Sequence, residues 1–325
     1  MPISARALLP GSAFRQALAA CDVVLDVGEG DSFSDIYGLK RLFYLVATKL
    51  LAARHAVLIL SPQTLGPFAS SLAERLARWA LGKATMVFAR DPLSYDWLVA
   101  RGPSPRFAQA IDMAFKLPFS PRAPVSSPGP ARLGINVSGL LFGGGYGGGN
   151  SLGLRTDYAA LTRQLITWAR QQQAEVWLVP HVTSNSLSEE DDLAAAQRLV
   201  AEFDGVHLAG PFASPVDAKS FMASLDFFVG GRMHACIGAF SAGVPTVPLA
   251  YSRKFNGLFG ALGYRWFVDC RALSTDEAFA FVCQAFQRRS ELATAVQAAN
   301  ALALQKLQPY QSCLVGALQA GRSRP

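Results

Sequence analysis

The chain has 325 residues, of which 51% are hydrophobic and only 16% charged, with a formal net charge of +7. That length suits two domains of roughly 150 residues, and no apolar stretch is long enough, at about 18 residues without a charge, to read as a membrane span. Its cations are scattered without a basic tail or block and no nucleic-acid-binding motif accompanies them, so the charge is either a solvated basic surface or suits a phosphorylated small molecule, a lipid diphosphate or an acidic membrane face better than nucleic acid.

Apolar runs ending in Gly, Pro or polar residues alternate with helical patterns. The first run is 21–28 (CDVVLDVG), the second 55–61 (HAVLILS), the third 85–90 (TMVFAR). Amphipathic stretches at 39–53 and 70–81 lie between them. This alternation predicts right-handed βαβ units and a parallel sheet, whose strands read as continuous apolar runs when both faces are covered. Lys49 and Arg54 break the most hydrophobic region, and Arg15 interrupts any signal core near the start. A cytoplasmic protein is therefore expected, with peripheral contact at the inner face of the membrane left open.

Residues 117–130 (LPFSPRAPVSSPGP) hold five prolines and are expected to be an interdomain linker. The pattern then restarts. Strands are predicted at 132–138, 175–180, 225–230 and 244–250, and helices at 158–171, 188–203 and 276–287. A long helical periodicity at 291–318 is expected to pack back across both domains. The domain expectation is an N-terminal α/β unit at 1–116, the linker, a second α/β unit at 131–290 and a helical segment at 291–325. Two such Rossmann-like domains, with parallel sheets facing a cleft, form a GT-B-like layout. Cys21, Cys236, Cys270, Cys283 and Cys313 are widely spaced and form no CxxC or zinc pattern, so buried reduced thiols are expected.

Chemistry concentrates at the predicted strand ends, where α/β sheets bind ligands. Arg232 and His234 follow the strand at 225–230. Arg232 offers a planar fork for carboxylate or phosphate, and His234 can move a proton near neutral pH. The plain alternative is a satisfied histidine beside a surface arginine. Ser252, Arg253 and Lys254 follow the next strand, with two solvated loop cations as the alternative. In the first half, Asp31 could orient a sugar hydroxyl, and Gln63 and Arg90 end the second and third strands. A structural Arg–Asp pair is the alternative for Arg90. Asn136 and His181 end strands of the second half. The run at 143–149 (GGGYGGG) lacks the Lys-Ser/Thr of a phosphate loop and suits a mobile loop or lid. No metal-binding or paired-carboxylate motif appears, so the site is expected to be cation-rich and to need no metal or cofactor.

Taken together, GEGDSFSDIYG (28–38), SPQTLGPF (61–68), ARD (89–91), GINVSGLL (134–141), VPHV (179–182), GGRMHACIGAFSAGVPT (230–246) and AYSRKFNGL (250–258) resemble the polysaccharide pyruvyltransferase family. The resemblance covers residues 20–270 and implies the GT-B-like fold. It implies phosphoenolpyruvate as co-substrate and a glycan, or its lipid-linked or nucleotide-linked precursor, as acceptor. The product would be a pyruvate ketal with release of phosphate. It further implies catalytic or donor-binding roles for His234, Arg232 and Lys254, and a donor-side place for Arg90. From their own positions at strand ends, Ser252 is expected at the donor and Asp31, Gln63, Asn136 and His181 at the acceptor or cleft. Few residues precede Cys21, so a first domain shortened at its start is also expected. Two other readings share the layout: a nucleotide-sugar glycosyltransferase, and a non-catalytic glycan-binding member of the family.

Overall fold

The computed structural model describes residues 5–28, 33–100, 102–122, 129–183 and 190–322. Contacts divide the chain into two compact units, Met1–Met113 with Leu304–Pro325, and Ala114–Ala303.

The first unit contains α1 (Ala13–Ala19), β1 (Val23–Asp26), α2 (Leu39–His55), β2 (Val57–Gln63), α3 (Ser71–Leu81), β3 (Met86–Ala89), α4 (Pro92–Val99) and β4 (Phe107–Gln109). Its four strands are parallel in the order β1-β2-β3-β4. Strand alternation sends Leu58 and Leu60 of β2 to one face and Ile59 to the other. Leu58 and Leu60 pack with Leu18, Leu42, Val46, Ala77 and Leu98 of α1–α4. Ile59 and Phe88 pack instead with Tyr310, whose hydroxyl shares a 2.7 Å hydrogen bond with Ser61. Both faces are thus covered, which explains why these strands read as unbroken apolar runs. Inside this unit Lys49 is buried and pairs with Asp26 at 2.9 Å, its ammonium 4.2 Å from the centre of the Phe33 ring.

The second unit contains β5 (Arg132–Asn136), α5 (Gly139–Phe142), α6 (Tyr158–Gln171), β6 (Glu175–Leu178), α7 (Asp192–Glu202), β7 (His207–Leu208), α8 (Pro215–Met222), β8 (Phe227–Gly230), α9 (Met233–Ser241), β9 (Thr246–Ala250), α10 (Arg253–Gly260), β10 (Val268–Asp269) and α11 (Thr275–Gln287). The six strands are parallel in the order β10-β9-β8-β5-β6-β7. Counted within the unit, that is the doubly wound order 3-2-1-4-5-6 of dinucleotide-binding sheets. Leu133, Ile135, Val176, Leu178, Phe227 and Val229 line its core, closed by Leu161, Leu165 and Leu199 from the helices.

The segment read as a linker belongs to this second unit. The buried Lys219 donates to the Leu117 carbonyl at 2.7 Å, Ser120 N to Ser220 Oγ at 2.9 Å, and Arg122 pairs with Asp226 at 2.6 Å. Loss of hydration lowers the Lys219 pKa to about 8. The C-terminal helix α12 (Arg289–Arg322) is continuous. Its residues up to 303 count with the second unit and those from 304 with the first, where Tyr310 and Leu314 cover the sheet. Cys236 and Cys270 are buried as expected, but Cys21 is exposed, because it precedes β1 at the surface.

Candidate functional site

In the second sheet the chain leaves β5 towards β6 and leaves β8 towards β9, in opposite directions. The loops after β5 and β8 therefore diverge and open a crevice at the carboxyl edge, the place where such sheets bind ligands. Asn136 and Gly230 are register partners at the last position of these two strands. The residues that follow them build the site.

Asp192, fully buried at the start of α7, is its hub. Arg232 donates to Asp192 Oδ1 from Nη2 at 2.9 Å and from Nε at 3.1 Å, and Nη2 also reaches the Glu190 carbonyl at 2.8 Å. Asp192 accepts further from Gly139 N at 2.8 Å, Val182 N at 3.0 Å and His181 N at 3.2 Å. One carboxylate thus ties together the segments after β5, β6 and β8. Burial disfavours the Arg232 charge, but the bonds and field of Asp192 outweigh that and raise its pKa. Much of the Arg232 fork is committed to Asp192, not open as expected. The hydrogen bonds of Arg232 to the described residues run from the backbone N, Nε and Nη2.

The backbone approaches closely here because two positions lack side chains. A Cβ on Gly231 would stand 2.7 Å from Tyr158 Oη, and one on Gly139 would stand 2.5 Å from the Asp191 carbonyl oxygen. Tyr158 is buried, donates to the Asn136 carbonyl at 3.0 Å and accepts from Ser138 N at 3.1 Å. Burial raises its pKa, so it stays a phenol.

His234 lies in the first turn of α9, exposed, two residues after Arg232. Its ring is near-parallel to that of His181, with centres 6.3 Å apart. Lost hydration, then the neighbouring His234 and Arg232, push the His181 pKa down to about 4 against the pull of Asp192. The His181 side chain keeps exposed surface. With that lowered pKa, His181 is neutral at pH 7. Lys254 lies in the first turn of α10, exposed, with its pKa lowered by crowding that removes part of its water. Tyr251 lies half-buried after β9, within the electrostatic reach of Arg232, Asp192 and Tyr146.

Two helices at this edge, α9 and α10, begin without a side-chain cap, at Arg232 and Ser252. Most other helices in the unit are capped by Ser or Asp. Uncapped first-turn N–H groups and the positive helix end favour an anion. The glycine-rich run after α5 is held by its own backbone, with Gly145 N donating to the Leu140 carbonyl at 2.8 Å and Ser151 N to that of Gly144 at 3.1 Å.

The second unit sets His181 and His234 side by side with Arg232 in their electrostatic reach, and places Ser252 and Lys254 beyond the end of the neighbouring strand β9. Asn136 is corrected from an acceptor contact to an internal staple. It is fully buried, its Oδ1 accepts from Arg232 N at 2.8 Å, and its Nδ2 donates to the Val179 carbonyl at 2.9 Å. Arg90 and Gln63 belong to the first unit. Arg90 is buried, paired with Asp112 at 2.9 Å and bonded to Thr64 Oγ1 at 2.8 Å, and Asp91 instead caps α4. That pairing accounts for Arg90 structurally. Gln63 Nε2 donates to the Asp26 carbonyl at 2.9 Å, and its Oε1 is buried without a partner among the described residues. Asp31 lies outside the described residues. Asp192, Tyr158, Tyr146 and Tyr251 were not anticipated. Only the tyrosine interrupting a glycine run and the tyrosine before Ser252 carried any local signal. Among the described residues, no group of His, Cys, Asp or Glu is placed to hold a metal ion.

Solved structures share this fold. A putative UDP-N-acetylglucosamine 2-epimerase from Listeria monocytogenes aligns with TM-score 0.55 at 14% identity, covering 92% of this chain and 77% of its own. The Anabaena protein HepE, solved in complex with UDP, aligns with TM-score 0.54 at 16% identity, covering 94% and 81%. An α,α-trehalose 6-phosphate synthase from Burkholderia multivorans aligns with TM-score 0.55 at 10% identity, covering 95% and 74%. No curated protein matches the chain significantly by sequence. Fold and strand-end site together define a two-sheet, GT-B-like α/β protein. The family model for polysaccharide pyruvyl transferase matches residues 3–253, and the chain belongs to that family. It is accordingly a transferase of the polysaccharide-pyruvylating kind.

Proposed function

We propose that this transferase takes its pyruvyl group from phosphoenolpyruvate and sets it as a ketal on a sugar of a surface polysaccharide or its lipid-linked precursor, in the cytoplasm, with no cofactor. The observation that carries this reading is the buried Arg232–Asp192 pair at the switch point, with His234 two residues on. Phosphoenolpyruvate carries a carboxylate and a phosphate. Arg232, Lys254, Ser252 and the uncapped starts of α9 and α10 are a matching set of donors.

The chemistry balances as follows. His234 donates a proton to the methylene carbon, and the enol phosphate becomes an oxocarbenium centre. One sugar hydroxyl adds to that centre and gives up its proton, for which the now neutral His234 is the acceptor. A second hydroxyl forms the other carbon–oxygen bond as the phosphate bond breaks, and its proton leaves with inorganic phosphate. Arg232 and Lys254 offset the charge on the departing phosphate. His181, neutral at pH 7 and 6.3 Å from His234 between ring centres, would orient a hydroxyl.

A thermal-shift titration tests the donor. Phosphoenolpyruvate should stabilise the protein, and Arg232→Ala should abolish that response. Stabilisation by a UDP-sugar in its place would move the protein to nucleotide-sugar glycosyl transfer. Binding of a glycan acceptor without phosphate release from phosphoenolpyruvate would make it a non-catalytic member of the family.

A further inference from the structure

In the first unit, α2 and α3 lie side by side on one face of the sheet, packed on it through Leu42, Val46, Ala73 and Ala77. Both run antiparallel to the strands, so their first turns open on the carboxyl edge that also carries Gln63 and Arg90. Their outer surface is not that of an ordinary solvated helix pair. Leu39 and Phe43 of α2, four residues apart, are 49% and 55% exposed, and Leu72 and Trp79 of α3, seven apart, are 50% and 55% exposed. These spacings put each pair on one side of its helix. Tyr37, just before α2, is equally open and lies under the Arg41 guanidinium at 4.9 Å.

Cations accompany these apolar side chains. Lys40, Arg41 and Arg75 are exposed, α2 has no acidic residue, and the one acid of α3, Glu74, is bonded to Arg78 at 2.9 Å. Aromatic and aliphatic anchors among unneutralised cations are the composition of a surface that lies in a lipid interface. A second copy of the chain fits poorly, because a two-fold contact through this face would set its cations against themselves. An anionic bilayer meets both the charge and the apolar groups, and the chain as a whole carries +7. Among the described residues no helix is long and apolar enough to cross a membrane, so the contact is peripheral.

We propose that the outer face of α2 and α3 docks the protein on an anionic phospholipid surface. Leu39, Phe43, Leu72 and Trp79 enter the headgroup boundary while Lys40, Arg41 and Arg75 meet lipid phosphates. The carboxyl edge of the first sheet would then be held at the bilayer, where a lipid-linked substrate is presented. Docking itself requires neither donor nor acceptor, so its failure and that of the proposed reaction are separable.

Co-sedimentation of the full chain with phosphatidylglycerol–phosphatidylcholine vesicles tests this. Binding should occur, weaken in high salt and be nearly absent on pure phosphatidylcholine. Lys40→Gln/Arg41→Gln/Arg75→Gln should lower vesicle affinity by about a hundredfold. Phe43→Ser/Trp79→Ser should lower it by about tenfold or more. Both variants should keep the wild-type melting temperature and phosphoenolpyruvate response. A folding defect in one leaves the other to decide. The proposal falls if anionic vesicles do not bind the protein, or if both folded variants bind like wild type. It falls equally if sedimentation shows a dimer that Phe43→Ser/Trp79→Ser dissolves, since a second copy would then cover the face.

Discussion

Arg232 and Asp192 meet through two nitrogens on one carboxylate, at 2.9 and 3.1 Å, with Asp192 wholly out of water. The pair sits forty residues apart in sequence and closes the segments after β5, β6 and β8 into one site. Asp192→Asn should therefore do two things. It leaves Arg232 buried without its counter-charge, which costs about 3 kcal/mol or more. It also releases the guanidinium from its fixed pose. A melting temperature lowered by several degrees and loss of the phosphoenolpyruvate response are expected together.

His234 is exposed. His234→Ala should melt like wild type and bind phosphoenolpyruvate, yet release phosphate about 10²-fold or more slowly in the presence of acceptor. Unchanged turnover would remove it from the proposed mechanism.

Acid should weaken the fold through His181. Its folded pKa, about 4, lies below the ordinary value of 6.5. Between those values the unfolded chain binds a proton that the folded chain does not, so stability falls as pH drops from about 6.5 to about 4. Melting temperatures across that window should decline less steeply in His181→Gln than in wild type.

Lys49 and Asp26 set up a test in the first unit. Lys49 is 2% exposed and Asp26 22%. Asp26→Asn should cost about 3 kcal/mol, the low end for an orphaned buried charge because Asp26 reaches some water. Lys49→Met in that background should recover much of the loss, as read by thermal unfolding.

Gly231→Ala should fold less stably and bind phosphoenolpyruvate less well than wild type, since the new methyl meets Tyr158 Oη at 2.7 Å. Combining it with Tyr158→Phe should relieve only part of the clash, since Leu141 Cδ1 at 2.9 Å and the ring carbon Cε2 at 3.1 Å remain, while losing two buried hydrogen bonds of about 1 kcal/mol each. Thermal melts of the three variants would separate the two effects.

Much of this was legible in the residues. Long helices such as α2, α6 and α11 have repeating apolar positions, and β2, β5, β8 and β9 are apolar because both sheet faces are covered. The edge strands β4, β7 and β10, of two or three residues, were missed because so short a run has no period to read. The short helices α4 and α8 start at Pro92 and Pro215 behind the caps Asp91 and Ser214, which is a start signal, but at 8 residues each they are too short to show a clear apolar period.

The sequence by itself determined the alternation of strand and helix, and so the parallel sheets, and it placed Arg232, His234 and Lys254 just beyond strand ends. These are local properties, carried by spacing and by residues adjacent in the chain. Only the tertiary structure decided that Asp192 holds Arg232, that Asn136 is an internal staple, and that Arg90 is taken by Asp112. Each depends on which distant segments the strand order brings together. A lone aspartate, asparagine or arginine looks the same in sequence whether it faces a ligand or a buried partner.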